Sequence, residues 1–489
     1  MTRRPELVLA VVAAAIAATN LLASSLAGLG DAEALYWCYG RHLQLSYLDH
    51  PPLVGWLIAA ATALGGDTAL AVRGVSLVCA MATLAFSWLL ARDLHGGRAP
   101  GWAAALLLAT PAFSIGAAAA APDAPLLSLW ALFAWQINRA ISDDGDTRWA
   151  RLGRPILLGA VAGLAFLAKY TGVFLSIGAL AMALGRAGRA WLRRPGFWIG
   201  AALAAASVLP VIAWNCLHGW AGVLHRLVWT QGGAGLSFGN ALALAGGQIL
   251  YIGPLVIALA AAAAVRLWRD RRERPGGIAL LWISLPTLGA TYLLALWSDV
   301  AEPHWPAPGY LALIAAASGT AIGGGAMARA ARWALGLGVA ALAIAHAAVL
   351  TPILPAALPA DLYEPRWDLS NELRGWPEVA ETVRAIDRDG EAVVAAHYTQ
   401  CAQLSFALSR PGDPPVRCAS PEIDDFDLWN GPFELEREGA LFVTDDRFSH
   451  DPAEIFPGAV VGPPLTLEIR RGGRAVRRFS MVEILPAAP

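Results

Sequence analysis

The stretch GLAFLAKYTGVFLSIG, residues 163–178, decides the fold. Two apolar runs flank the break KYTG, and they continue outward to give candidate spans at 155–168 and 172–185. A break of that length joins two membrane-crossing helices through one tight turn. At its centre stands Lys169, the single lysine of the chain; the other 35 of its 36 basic residues are arginine. A chain that uses arginine almost everywhere keeps one ammonium where two apolar helices turn.

The same alternation fills most of the sequence. Of 489 residues, 57% are hydrophobic and 15% charged, with mean hydropathy +0.51, far too apolar for an ordinary soluble domain. Eleven candidate spans fall near 7–28, 69–91, 100–117, 124–140, 155–168, 172–185, 197–214, 241–264, 278–296, 306–322 and 333–351. The first, LVLAVVAAAIAATNLLASSLAG, is long enough to span and is read as a span, not a cleaved signal. The Pro-rich TPILPAALPADLYEP, from Thr351, then divides a transmembrane domain, 1–351, from a soluble α/β domain, 352–489. In the latter EAVVAA, PPVRC and ALFVTDD read as strands and CAQLSFALSR as a helix. LTLEIRRGGRAVRRFSMVEI reads as a hairpin turned at its glycine pair. Arg470, Arg471, Arg474, Arg477 and Arg478 around that turn suit either anionic head groups or a solvated hairpin end.

Charge orients the spans. MTRR, RDLHGGR, RAISDDGDTRWARLGR, RAGRAWLRR, RLWRDRRER and ARAAR hold nineteen arginines, whereas the opposite breaks hold only Arg41, Arg73, Lys169 and Arg226. The positive-inside rule makes the first set cytoplasmic. The N-terminus is then cytoplasmic and, with an odd span count, the C-terminal domain lies outside, in the periplasm of a Gram-negative cell. Every alternation agrees. The expected location is the bacterial inner membrane.

The non-cytoplasmic breaks hold the chemistry: DAEALYWCYGRHLQLSYLDHPP (31–52), AAAAAPDAP (117–125), KYTG (169–172), NCLHGWAGVLHRLVWTQGG (215–233) and SDVAEPHWPAP (298–308). Carboxylates, histidines and the lone lysine gather on one face, while the span interiors are almost free of charge. A transporter places its ionisable groups near the midplane. An edge site suits an enzyme whose lipid substrate keeps its tail in the bilayer and its polar head at the interface. In the first loop Asp31 and Glu33 open an aromatic, amphipathic stretch, ALYWCYGRHLQLSYL, expected to lie along the interface. Asp49 and His50 close it before Pro51–Pro52, and LVGWLIAAATALGG reads as a second interfacial helix. Asp31 as an N-cap and Asp49 as a turn former are the plainer readings. Four ionisable groups framing one aromatic helix weigh against them. Lys169 as a snorkelling lysine is weakened by the arginines, which snorkel equally well. No Walker motif, no GxGxxG opening a helix after a strand and no nucleophile elbow occurs. Neither nucleotide nor nucleic acid is an expected partner.

DAEALYW, LDHPPLVGWL, PDAPLLSLWAL, GLAFLAKYTGVFL and HWPAPGYLAL, in this order, resemble glycosyltransferase family 39. That family holds the protein O-mannosyltransferases and the bacterial lipid A aminoarabinose transferases, and the likeness is to the bacterial branch. It extends more loosely to RGWPEVAETVRAI and the α/β domain. The resemblance implies a polytopic α-helical C-type glycosyltransferase fold. It implies inverting transfer of a sugar from a polyprenyl-phosphate donor to an envelope acceptor: lipid A, a glycan, a lipid or a protein. Such chemistry needs a base for the acceptor, cations for the leaving phosphate and a cavity for the sugar. Asp31 matches the first acid of the family motif and is the expected base, with Glu33 supporting or positioning the acceptor. Asp49 is the third expected catalytic carboxylate, orienting the acceptor or holding an ion. Lys169, Arg226 and His50 are the expected donor-phosphate ligands; a compact ammonium suits a phosphate met end-on. Asp123, which also reads as a helix cap, and His304, Tyr36 and Arg41 are the expected substrate contacts. A divalent metal ion is the only cofactor in view, with Asp49, His218 and His225 as its candidate ligands. A lipid-linked oligosaccharide polymerase or ligase is the rival enzyme, though one expected to lean on arginines and histidine in a large external loop. A flippase would need an inner site that the cytoplasmic loops do not offer. Of the five cysteines, Cys401 and Cys418 lie in the external domain and are a candidate disulfide.

Overall fold

The computed structural model describes residues 4–142, 147–185, 188–298, 300–386, 391–435 and 439–486; Arg3 and Arg186 of the arginine set lie outside them. The chain is a polytopic α-helical protein that ends in a mixed α/β domain. Among the described residues five helices are long and apolar enough to cross a membrane: Ala69–His95, Trp149–Ala168, Pro195–Leu217, Gly276–Ala295 and Gly325–Leu350. Two bent pairs raise the number to seven if each is one span: Val11–Leu26 with Asp31–Arg41, and Phe238–Tyr251 with Pro254–Arg272.

The difference from eleven has local causes. The run at 241–264 is two helices at 99°, because Gly253 adopts φ 91 and Pro254 starts a new helix. The run at 100–117 breaks before Pro111 into Ala99–Leu108 and Pro111–Ala118. Tyr170–Leu184 and Ala307–Ile322 are apolar but shorter than a full crossing.

Two compact units make up the chain. The first comprises Met1–Leu21, Gln44–Val54 and Gly74–Ala343. Its core joins the helices Asp123–Ser142, Arg154–Ala168, Gly276–Ala295 and Ala307–Ile322 around Trp130, Phe133, Leu158 and Ile283. Where lipid surrounds a bundle, small residues set how closely helices meet. A Cβ on Gly159 would lie 2.0 Å from the Gly200 carbonyl oxygen, so only glycine allows Arg154–Ala168 to touch Pro195–Ala206 there. The KYTG turn is built the same way. Lys169 leaves its helix extended at φ -157, and Tyr170–Gly172 makes one 3-10 turn before Val173–Leu184. A Cβ on Gly172 would sit 2.2 Å from the Ala165 carbonyl carbon.

The second unit comprises Leu22–Leu43, Gly55–Arg73 and Ile344–Pro489. Its sheet runs β2 (Val416–Cys418), β1 (Ala392–Ala395), β3 (Ala440–Asp445), β6 (Arg474–Leu485) and β4 (Val460–Val461), with β5 (Leu465–Arg471) also paired to β6. β1 is parallel to β2 and β3; β6 is antiparallel to β3, β4 and β5. The strands and hairpin lie where the sequence puts them, with Gly472 and Gly473 at φ 55 and 81 in the turn. Cys401 and Cys418 form a disulfide between the Tyr398–Ala407 helix and β2.

Two expectations change in this unit. Asp31–Arg41 is not an open interfacial helix, for its aromatic face is buried against protein. Trp37 meets Phe406 edge-on at 5.2 Å, and Tyr39 donates its hydroxyl to Asp425 at 2.8 Å. Nor do the hairpin arginines act as one patch. Arg477 is buried against Asp445, and Arg471 donates to Ser370, Asn371 and the carbonyls of Ala348 and Thr351. Arg478 pairs in the open, with Glu468.

Candidate active site

In the helical unit the breaks between apolar helices bring seven of the expected residues into one electrostatic cluster. Asp123 occupies the first turn of Asp123–Ser142, where the helix N-terminus favours a carboxylate. The buried Lys169 donates to both its oxygens, at 2.9 Å each, and lies 3.0 Å from His304 Nε2. His304 is held from behind: Gln248 donates to the Pro303 carbonyl at 2.8 Å. Burial first, and then the Lys169 ammonium, push the His304 imidazole down to about 4, leaving it neutral at pH 7. The lone lysine thus shares its charge with Asp123, a contact the sequence did not indicate.

Asp49 is the second carboxylate. His225 Nε2 lies 2.9 Å from its Oδ1, and Arg226 reaches both that oxygen, at 3.1 Å, and the Asp49 carbonyl, at 2.9 Å. Burial would raise Asp49, but the His225 hydrogen bond and the Arg226 charge hold it well below the usual carboxylate range. His50 couples the two groups. Burial pushes it down to about 3, and the charges of Asp49, Arg226, Lys169 and Asp123 all act on it. Of the metal candidates, Asp49 and His225 meet, whereas His218 turns Nδ1 to the Trp214 carbonyl at 2.8 Å and stacks on that ring. Among the described residues no group of three or more His, Cys, Asp or Glu side chains is arranged to hold a metal ion.

In the sheet-bearing unit Asp31 begins the Asp31–Arg41 helix and is buried. Gln403 donates to its Oδ1 and Arg447 to its Oδ2, both at 2.9 Å, and its own N–H donates to Glu372 at 2.6 Å. Burial, and then the Glu372 carboxylate, push Asp31 up to about 6. Glu33 is not beside it as a second base. It accepts from Gly30 N–H at 2.8 Å and is gripped by the guanidinium of Arg73, which also binds the carbonyls of Ser24, Ala27 and Gly28. Tyr36 is buried edge-on to Tyr39, and Arg41 lies over Trp37 and 3.8 Å from Asp67. Glu372, Gln403 and Arg447 had no signal in the sequence. Arg73 did, as a guanidinium within ALAVRGVSLVC.

Residues 49–214 match the family model for dolichyl-phosphate-mannose-protein mannosyltransferases, a segment that holds Asp49, His50, Asp123 and Lys169. The chain is 28% identical over 287 residues to lipid A galacturonosyltransferase RgtD of Rhizobium johnstonii, covering 57% of this chain and 58% of that one. It is 28% identical over 257 residues to the undecaprenyl phosphate-alpha-4-amino-4-deoxy-L-arabinose arabinosyl transferase of Pseudomonas aeruginosa, covering 51% and 46%. The match spans about half the length of these curated relatives. The crystal structure of ArnT from Cupriavidus metallidurans bound to undecaprenyl phosphate aligns over 100% of both chains with TM-score 0.66 at 15% identity. That likeness shows the fold, and with the family match it is the C-type glycosyltransferase fold that the motifs implied.

Proposed function

We propose that the chain is an inverting membrane glycosyltransferase that moves a sugar from a polyprenyl-phosphate donor to an envelope acceptor, lipid A above all, on the periplasmic face of the inner membrane. The observation that carries this reading is the meeting, at the ends of apolar helices, of the two cations Lys169 and Arg226, paired with Asp123 and Asp49, and the imidazoles of His50, His225 and His304. Such a group suits a phosphate that arrives with a lipid tail, and the names of the similar proteins point to the same donor class. The acceptor hydroxyl attacks the anomeric carbon and its proton passes to Asp31. The carbon–oxygen bond to phosphate breaks, and its electron pair leaves with the polyprenyl phosphate. Lys169, Arg226 and His50 hold that phosphate and stabilise the charge it gains. Asp123 and His304 line the sugar pocket, and Asp49 holds Arg226 and His225 in place. Eleven crossings, counting short and broken helices, complete the proposed topology.

The test is release of undecaprenyl phosphate by purified full-length protein. Donors are undecaprenyl phosphate-linked galacturonic acid and 4-amino-4-deoxy-L-arabinose, with lipid A as acceptor. Wild type should release undecaprenyl phosphate from at least one donor and Asp31→Asn should not. Mass spectrometry of lipid A with and without the gene should show a matching sugar increment. An unchanged cell envelope together with no release from either donor would sink the reading.

A further inference from the structure

Resting on Asp31 as the base, we propose that Glu372 and Arg447 are positioning residues of opposite sign that set its basicity from the sheet-bearing unit. Arg447 bridges the two carboxylates, donating to Asp31 Oδ2 at 2.9 Å and to Glu372 Oε2 at 3.3 Å. Glu372 in turn accepts the Asp31 N–H. Gln403 fixes the other oxygen and anchors itself on the Leu29 carbonyl, at 2.9 Å each. The carboxylate is thereby held at both oxygens by side chains more than 340 residues away in sequence.

The surroundings are built for this approach. A Cβ on Gly28 would lie 2.5 Å from the Leu373 carbonyl oxygen, and one on Gly30 would lie 3.1 Å from Glu372 Oε1, so small residues admit the Glu372 segment. The loop carrying Arg447 is equally fixed. Phe448 N–H donates to Asp445 at 3.0 Å, Gln400 donates to the Phe448 carbonyl at 3.0 Å, and the Phe448 ring stacks on His397. Asp446 N–H donates to the Arg478 carbonyl at 3.0 Å. Arg447 therefore meets Asp31 from a held backbone.

The two charges act in opposite senses. As Asp31 takes the acceptor proton its negative charge vanishes. Arg447 favours the charged carboxylate and weakens the base, whereas Glu372 favours the protonated form and strengthens it. The other groups facing Asp31 are Gln403, which is neutral, and Arg477 on β6, which pairs with Asp445. Glu33, on the same helix, is bound to Arg73. Glu372 and Arg447 are the two charges on Asp31 that single substitutions can lift in opposite directions.

The experiment is the pH dependence of kcat/KM for the full-length protein with the lipid-linked donor that supports turnover. A required base gives a limb that rises with pH through its pKa. Glu372→Gln should move that limb down by about one pH unit, and Arg447→Met should move it up by a similar amount. Arg447→Lys should return it towards wild type, and melting temperatures should identify any variant that fails to fold. A strut that merely holds the domain together would change turnover without moving the limb in opposite directions. If Asp31→Asn is inactive and both charge variants leave the limb in place, or move it the same way, the inference falls and the base stands. If Asp31→Asn turns over normally, the base assignment falls first and takes the inference with it.

Discussion

At the scale of the residue, Lys169 carries two duties that single substitutions confuse. It neutralises the half-buried Asp123 and is proposed to meet the donor phosphate. Lys169→Met should cost on the order of 2–4 kcal/mol of transition-state stabilisation, about 30- to 1,000-fold in kcat/KM. It should also leave the half-buried Asp123 carboxylate without its ammonium, a loss of about 1–3 kcal/mol in stability. Adding Asp123→Asn removes that second penalty. The double variant should melt near wild type, measured in detergent by thermal unfolding, yet still fail to release polyprenyl phosphate. Recovery of turnover along with stability would make the lysine a counter-ion only. Lys169→Arg should be substantially impaired, because a planar fork does not replace a point donor in a closed turn. The lysine was legible as an oddity of composition. Its partner was not, since Asp123 read equally well as a helix cap and nothing in PDAP points 46 residues ahead to KYTG.

At the scale of the element, the segment 31–52 separates what periodicity reveals from what it hides. The Asp31–Arg41 helix is evident in ALYWCYGR, but an aromatic amphipathic face does not say whether it meets lipid or protein. Here it meets the Tyr398–Ala407 helix, through Trp37 and Phe406. Spans were legible as apolar runs, but the break within one at Gly253–Pro254 was not, because a glycine of positive φ turns the chain through 99° without making the run less apolar. Glu33 tells the same story, two residues after the expected base but turned onto Arg73 and tied into the helix start. Arg73→Met should therefore destabilise the protein by about 3–5 kcal/mol, because Glu33 is left buried and charged. Glu33→Gln added to it should recover much of the loss. Thermal unfolding of the three proteins checks this. A single variant as stable as wild type would show Glu33 to be satisfied without the guanidinium.

At the scale of the whole molecule, two unrelated observations bear on which way the chain faces. The nineteen arginines of one set of breaks, against four cations in the other, are a rule about insertion. The Cys401–Cys418 disulfide is a rule about compartment, since such bonds persist outside the reducing cytoplasm. Each can fail alone, and here both support the proposed placement of the C-terminal domain outside. Parity agrees as well, because seven crossings and eleven both put the two termini on opposite sides. Alkaline phosphatase, which folds only where its own disulfides form, should be active when fused after Pro489 and inactive when fused within RLWRDRRER, 266–274. A cysteine substituted at Thr171 of the KYTG turn should label with an impermeant maleimide in cells with a permeabilised outer membrane, and one at Arg271 should not. The opposite pattern would put Lys169 and the external breaks in the cytoplasm. The disulfide would then need a special redox explanation, and the proposed periplasmic transfer would lose its side of the membrane.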